Sequence, residues 1–389
     1  MELTTDPGSF HLKNFPHFPK PKLIGYFSVG AQRNYTNDVS QLKYINKIPV
    51  GRVHFDLNHN ANSVLKNTEG EEKHKFFLEY FKDHKEALNV FDQSDIYLKD
   101  VPFMCSRGML QKMSQMPYYN QESFRFSACL FRGVIYVHYL TTTEAEAQKD
   151  NITEREKNFS TWGYKFEQYI VSDDPSRDPD IERPKDERLE FWCVLERQLN
   201  QHRLFYRAQM DGILMEQSSL REDFLSGNLS EEQVLAELRK VQFAEMKTNR
   251  QIDEKRLHFN FKRHKTRAWW LQCSLVGIET LICGFRDDEG IVKEVKTFNV
   301  SDLPKQSGGF WDPSVCMNFC DELLSYIKEC FELEIINRFG SCGNNVRTLP
   351  LLELVFERMP RSPVKLGQPF PNEDIAVLDD WYINMFPKL

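Results

Sequence analysis

Between residues 122 and 140 two apolar runs, FRFSACLF and VIYVHYL, are separated only by Arg132-Gly133. Runs of this length, rich in aromatic and β-branched residues and joined by a two-residue link ending in Gly, predict an antiparallel hairpin. A second hairpin is predicted over 189–214, where LEFWCVLERQL and RLFYRAQMDGIL turn near Asn200-Gln201. A third follows in LICGF-RDDEG-IVKEVKTF, and single strands are expected at 241–248 (VQFAEMKT) and 350–357 (PLLELVFE). Sheets therefore have to organise the chain.

Elsewhere the apolar period changes from two to that of a helix. Phe159, Trp162, Phe166, Tyr169 and Ile170 share one helical face in 155–171, and Phe76, Phe77, Tyr80 and Phe81 carry the same spacing within 71–92. In the insertion 215–240, Ser230 followed by Gln233 makes a capping box for a short helix. Longer helices are predicted at about 253–276 and 314–333. Residues 1–22 read as an extended, proline-containing arm and 172–188 as a polar surface loop. The linkers between these segments are short. The expectation is an α+β fold, with the arm followed by a single domain over 23–389 built on two mixed β-sheets with flanking helices.

Of the 389 residues 41% are hydrophobic and 13% aromatic, enough for a large core. No apolar run approaches the roughly 18 residues of a membrane helix, and the N-terminus lacks a signal-peptide core, so a soluble intracellular protein without a membrane partner is expected. Nine cysteines, with no C-x-x-C pair, argue against a disulfide framework or a zinc site; Cys316 and Cys320 read as core packing. A net charge of −7 does not suit a protein that coats nucleic acid. Between Lys247 and Arg267, however, eight Lys or Arg face two acids, which either line a single strand or form a solvated helix face.

The chemistry concentrates at Asp211, near the end of one strand, and at Glu245-Met246-Lys247 on another. Side chains two apart on a strand share a face, so Glu245 and Lys247 point together while Met246 points away. A carboxylate beside a Glu-x-Lys pair is what metal-dependent phosphodiesterases need: hard oxygen ligands for Mg²⁺ or Mn²⁺, and a cation to orient water or offset charge. On an exposed strand the same spacing gives only a surface ion pair. GYKFE contributes Glu167 on a helix among aromatic residues. WWLQCSLVGI contributes Gln272, seven residues after Lys265 and eleven after Phe261 on one helical face, where it would touch a phosphate or cap a strand carbonyl. Trp269 and Trp270 diverge by about 100° on a helix, so at least one belongs to the core. No Walker loop, G-x-S-x-G elbow or H-E-x-x-H motif is present.

Six segments, in order, resemble the DXO family of decapping exoribonucleases, which includes fungal proteins that bind and stabilise a nuclear 5′→3′ exoribonuclease. They are GYFSVGAQRNY (25–35), CSRGML (105–110), GYKFE (163–167), AQMDGI (208–213), AEMKT (244–248) and WWLQCSLVGIETLICGFRDDEG (269–290). The resemblance implies a restriction-endonuclease-like nuclease core, with the cleft between the sheets. It implies Glu167, Asp211 and Glu245 as metal-binding carboxylates, with the Met246 carbonyl as a further ligand for one or two Mg²⁺ or Mn²⁺ ions. Lys247 and Gln272 would engage the scissile phosphate and water, and Arg107 and Arg33 would contact RNA. The implied partner is RNA with a 5′ cap or a free 5′ phosphate, not DNA, and the implied location is the nucleus.

The activity implied is removal of incomplete or non-canonical caps (unmethylated guanosine, triphosphate, NAD or FAD type) and degradation of RNA 5′→3′. One departure stands out. Where the family has Glu-x-Asp, this chain has Gln209-Met210-Asp211, so the ligand expected at 209 is a neutral amide. The alternative reading follows from it: a catalytically weakened protein that binds RNA ends and stabilises the exoribonuclease.

Overall fold

At the first hairpin Arg132 (φ 52°) and Gly133 (φ 76°) both take positive φ, the backbone that a two-residue turn matched to the strand twist requires. The computed structural model describes residues 1–68, 72–84, 95–217, 224, 227–341, 345–371 and 373–386. Among these the strands form two sheets, of ten and six strands. The larger runs in the order β1 (Glu2–Leu3), β16 (Val364–Leu366), β15 (Leu352–Arg358), β7 (Phe124–Phe131), β8 (Val134–Leu140), β6 (Phe103–Ser106), β10 (His202–Gln209), β9 (Glu190–Leu199), β2 (Lys22–Val29) and β3 (Tyr35–Thr36). The smaller runs β4 (Tyr44–Ile45), β11 (Gly212–Leu214), β12 (Phe243–Arg250), β13 (Thr280–Arg286), β14 (Ile291–Asn299) and β5 (Gly51–Asp56). Both are mixed, because β6 runs parallel to β8 and β10 while β12 runs parallel to β13. The α+β architecture is the one the sequence predicts.

Both faces of the larger sheet are covered at β7, which is buried along its whole length and apolar except for Arg125 and Ser127. Phe126, Ala128 and Leu130 point into a central core shared by the two sheets, and Cys129 and Phe131 point outward. The helices Arg107–Gln115, Thr266–Val276 and Pro313–Phe339 lie in the central layer. Outside the larger sheet the Lys75–Asp83 helix packs Phe76, Phe77, Tyr80 and Phe81. Outside the smaller sheet the Glu154–Ile170 helix packs Trp162, Phe166 and Ile170. That helix comes close because residue 284 is glycine: a Cβ there would lie 2.5 Å from the Phe166 ring. Trp269 and Trp270 are both buried, so neither is available to stack on a base.

The structure departs from the sequence reading in four places. The second strand of the 189–214 hairpin does not run through to Leu214. It stops at Gln209, and after Met210-Asp211 the chain enters the other sheet as β11. The predicted 253–276 helix is α-helical over Lys255–Asn260 and Thr266–Val276 but widens into a π-helical turn over Phe261–Lys265. This turn breaks the uniform spacing assumed for Phe261, Lys265 and Gln272. The helix expected at 314–333 continues to Phe339 and ends at Gly340, whose φ of 78° closes it. The N-terminal arm is tied down, with Glu2–Leu3 pairing with β16 and Phe10 buried against Phe319. The tail of the predicted 71–92 helix beyond residue 84, and most of 218–226, lie outside the described residues.

Candidate active site

The crossover between the sheets places Asp211. Its Oδ2 accepts a hydrogen bond from the backbone N–H of Met246 at 2.7 Å, at the point where β12 has run past the end of β11. The Met246 carbonyl faces the same side of the strand, while its side chain is buried against the Glu154–Ile170 helix. One residue earlier Glu245 points into the central layer and is 1% exposed. Its Oε1 accepts from Lys247 Nζ at 2.6 Å and from Gln272 Nε2 at 2.5 Å, and its Oε2 accepts from an Arg107 guanidinium N–H at 3.1 Å. Arg107 opens its helix, which Ser106 caps by accepting from Met109 N–H. A strand of the smaller sheet and two central helices thus converge on one carboxylate.

The two buried acids are driven in opposite directions. Burial and then the charges of Glu245 and Glu167 push the Asp211 carboxyl well above the ordinary range, against a smaller pull from Lys247. Burial also works against ionisation of Glu245, but Lys247 and Arg107 outweigh it and hold that carboxyl below its usual value. Burial opposes the charge on Lys247, yet Glu245 and Asp211 keep it a firmer cation than usual.

Glu167 sits at the edge of this group. It is close enough for its charge to act on Asp211, and it is ion-paired to Lys185 at 3.1 Å. Gln209, the last residue of β10, lies opposite Trp192, and its amide makes no hydrogen bond among the described residues. Arg33 is held by Glu72 at 2.5 Å, by Glu190 and by the Arg188 carbonyl, and lines a pocket with Ser106 and Trp192, the neighbours of Arg107 and Gln209. Two residues near the site escape the sequence reading. Lys185 sits 18 residues from Glu167 in a loop whose path no local pattern gives. Tyr164 stands in the sequence only as part of GYKFE, but its hydroxyl is pushed up to about 12 by burial and by Glu187, Glu167, Glu190 and Asp211.

The donor set suits a hard divalent cation: carboxylates of Glu167, Asp211 and Glu245, the Met246 carbonyl and the Gln209 amide, all oxygen. Burial first, and then the charges of Glu245 and Glu167, disfavour the ionised form of Asp211, and a cation held here would favour it. Among the described residues no three acidic, His or Cys side chains stand in a ready ligand set, because Glu167 turns to Lys185 and Glu245 to its three donors.

The chain as a whole is similar to known proteins. A family model described as RAI1 like PD-(D/E)XK nuclease matches residues 19–382. The human decapping and exoribonuclease protein is 27% identical over 388 residues, covering 98% of this chain and 89% of its own. The Drosophila melanogaster decapping and exoribonuclease protein Rai1 is 29% identical over 326 residues, covering 83% of each. Among solved structures, Scheffersomyces stipitis Rai1 in complex with (3′-NADP)⁺ and calcium superposes with a TM-score of 0.73 at 16% identity, over 99% of this chain and 98% of that one. Candida albicans Rai1 in complex with pU5 and Mn²⁺ gives 0.69 at 14% identity, over 95% and 93%. At these identities the structures speak for the fold, and the family model, matching well over half the sequence, shows that the chain belongs to the RAI1-like PD-(D/E)XK nucleases.

Proposed function

We propose that the chain is a divalent-metal-dependent hydrolase of RNA 5′ ends, removing incomplete or non-canonical caps and degrading the exposed RNA 5′→3′. The observation that carries this is the buried Glu245, held by Lys247, Gln272 and Arg107 with Asp211 alongside. Asp211 and Glu245-Met246-Lys247 match the acid and the Glu-x-Lys that the family's description spells out. Relatives are named for decapping and exoribonuclease activity, and solved Rai1 structures carry dinucleotide analogues, pU5, Mn²⁺ or Ca²⁺.

Glu167, Asp211, Glu245 and the Met246 carbonyl would hold Mg²⁺ or Mn²⁺, with Gln209 as a neutral ligand. When bound, the metal acidifies a water and offsets charge on the scissile phosphate. Lys247, charged at neutral pH, neutralises charge building on the phosphate oxygens. Gln272 fixes Glu245 and donates to the same oxygens. Arg107, at the mouth of the site, takes the 5′ phosphate through its forked N–H groups. Residues 23–389 would act as one catalytic domain, with residues 1–22 docked on it through β1 and Phe10. On the family resemblance we place the protein in the nucleus.

One observation favours a second reading. With Gln209 neutral the site has one fewer negative charge than the family pattern gives, which weakens a second metal more than the first. The chain would then bind RNA ends and support a 5′→3′ exoribonuclease.

The test is incubation with Mn²⁺ or Mg²⁺ and three RNAs, carrying an unmethylated guanosine cap, an NAD cap or a 5′ monophosphate. Cleavage that is lost in Glu245→Ala supports the hydrolase. Silence in the parent with activity in Gln209→Glu identifies Gln209 as the disabling residue, and silence in both, with the fold intact, supports the binding role.

A further inference from the structure

The face of β12 that carries Glu245 and Lys247 does not end at the site. Asn249 continues it and Gln251 follows one residue past the strand's end, so that six residues at about 3.3 Å each carry the chain roughly 20 Å from Glu245. Gln251 lines a cavity of about 680 Å³. Its floor is aromatic: Phe261, Phe285 and Phe298, with ring centroids about 6 Å from one to the next. Phe285 is also the β13 partner of Asn249, so the floor adjoins the strand that bears the catalytic pair.

The rim is mainly basic. Lys262 comes from the π-helical turn and Lys305 from the Leu303–Gln306 helix, and neither has a carboxylate partner among the described residues. Lys296 lies over the Phe285 ring at 5.2 Å and pairs with Glu294 at 2.9 Å, while Asp253 is the other acid on the wall. Beside the mouth, Phe259 and Phe310 meet edge to face at 4.8 Å although they are 42% and 38% exposed. Arg263 stands over Phe259 at 5.8 Å.

We propose that this cavity is a subsite for the body of the RNA, taking nucleobases against the half-buried Phe298 and the exposed Phe259–Phe310 pair, with Phe261 and Phe285 backing them, and phosphates at Lys262 and Lys305. Aromatic faces accept any base, and two unpaired lysines complement a phosphate backbone. Lying a few nucleotides from the carboxylates along β12, the subsite draws the strand through the cleft without reading its sequence. The π-helical turn contributes by presenting Phe261 to the floor and Lys262 to the rim from adjacent positions. This inference rests on the RNA 5′-end reading above.

The test uses a labelled, 5′-phosphorylated octauridylate in EDTA, so that binding is read without cleavage. Lys262→Gln/Lys305→Gln should weaken binding about tenfold and reduce the slope of log affinity against log salt by about 1.4, since each phosphate that a lysine neutralises on a single strand adds about 0.7 to that slope. Phe259→Ala/Phe310→Ala, at exposed positions that leave the core intact, should weaken binding at least about fivefold without changing that slope. 4-Thiouridine at the third to fifth nucleotides should crosslink to 251–263 or 285–298. Unchanged affinity and slope in both variants, or crosslinks confined to other segments, would overturn the subsite. The two readings fail separately. Binding of this pattern with no cleavage in Mn²⁺ refutes the hydrolase but keeps the subsite, and cleavage with an unchanged salt slope does the reverse.

Discussion

Replacing Glu245 and Asp211 one at a time should move stability in opposite directions, although both are buried carboxylates in one site. In Glu245→Ala, Lys247, Gln272 and Arg107 lose an acceptor they reach at 2.6, 2.5 and 3.1 Å. Two cations are then left unpaired around a carboxylate position that was 1% exposed. Breaking a buried pair from one side costs about 3–5 kcal/mol. A chain of this length unfolding as one unit has an entropy near 0.8 kcal/mol/K, so the melting temperature should fall by about 4–6 °C.

Asp211→Asn should raise it in EDTA, because the folded protein disfavours the charge that the substitution removes. The pH dependence has matching signs. Glu245, depressed in the fold, contributes stability that is present above its unfolded pKa of about 4.3 and is lost as pH falls. Asp211, raised in the fold, contributes stability below its unfolded pKa of about 3.9 that is lost as pH rises through the folded value. Thermal denaturation in EDTA from about pH 2.5 to 8 reads both, Glu245 at the acid end and Asp211 above it. Destabilisation of Asp211→Asn at neutral pH without metal would refute the reasoning, since it would mean that Asp211 is stabilised in its charged form.

Three further outcomes are expected. Adding Mn²⁺ should raise the melting temperature of the parent by mass action, and Asp211→Asn should lose most of that rise; differential scanning fluorimetry against metal concentration checks it. Lys185→Ala should free Glu167 and lower the half-saturating Mn²⁺ concentration by up to about fivefold, the modest size reflecting a partly exposed pair, as calorimetric titration would show. Arg33→Ala should destabilise the fold by stranding Glu72 and Glu190 while leaving the salt dependence of RNA binding unchanged, whereas Arg107→Ala should lower kcat/KM for 5′-phosphorylated RNA; denaturation and steady-state kinetics separate the two.

Local pattern was enough for much of this protein. The Arg132-Gly133 hairpin, the 154–170 helix with its apolar face and the Ser230 capping box are decided by residues within one turn or one strand pair, where steric and hydrogen-bonding preferences act directly. The Glu-x-Lys spacing put Glu245 and Lys247 on one face for the same reason: the pleat of a strand has a fixed period.

What no local rule could supply was the meeting of segments far apart in sequence. Met210-Asp211 looks like the interior of a strand, yet the chain leaves one sheet there for the other, because Met210 N–H bonds back to Phe191 while Ile213 N–H bonds to Lys43. That switch brings Asp211 to Met246. Gln272 reaches Glu245 across 27 residues and Arg107 reaches it across 138, through packing of two helices in a layer that exists only once both sheets have closed over it. The same closure assigned Arg33 to Glu72 and Glu190, and Glu167 to Lys185. The sequence determined which groups were available and which way each strand or helix turned them. Burial between two sheets decided which charges had to find one another, because a charge removed from water must be paired where it stands.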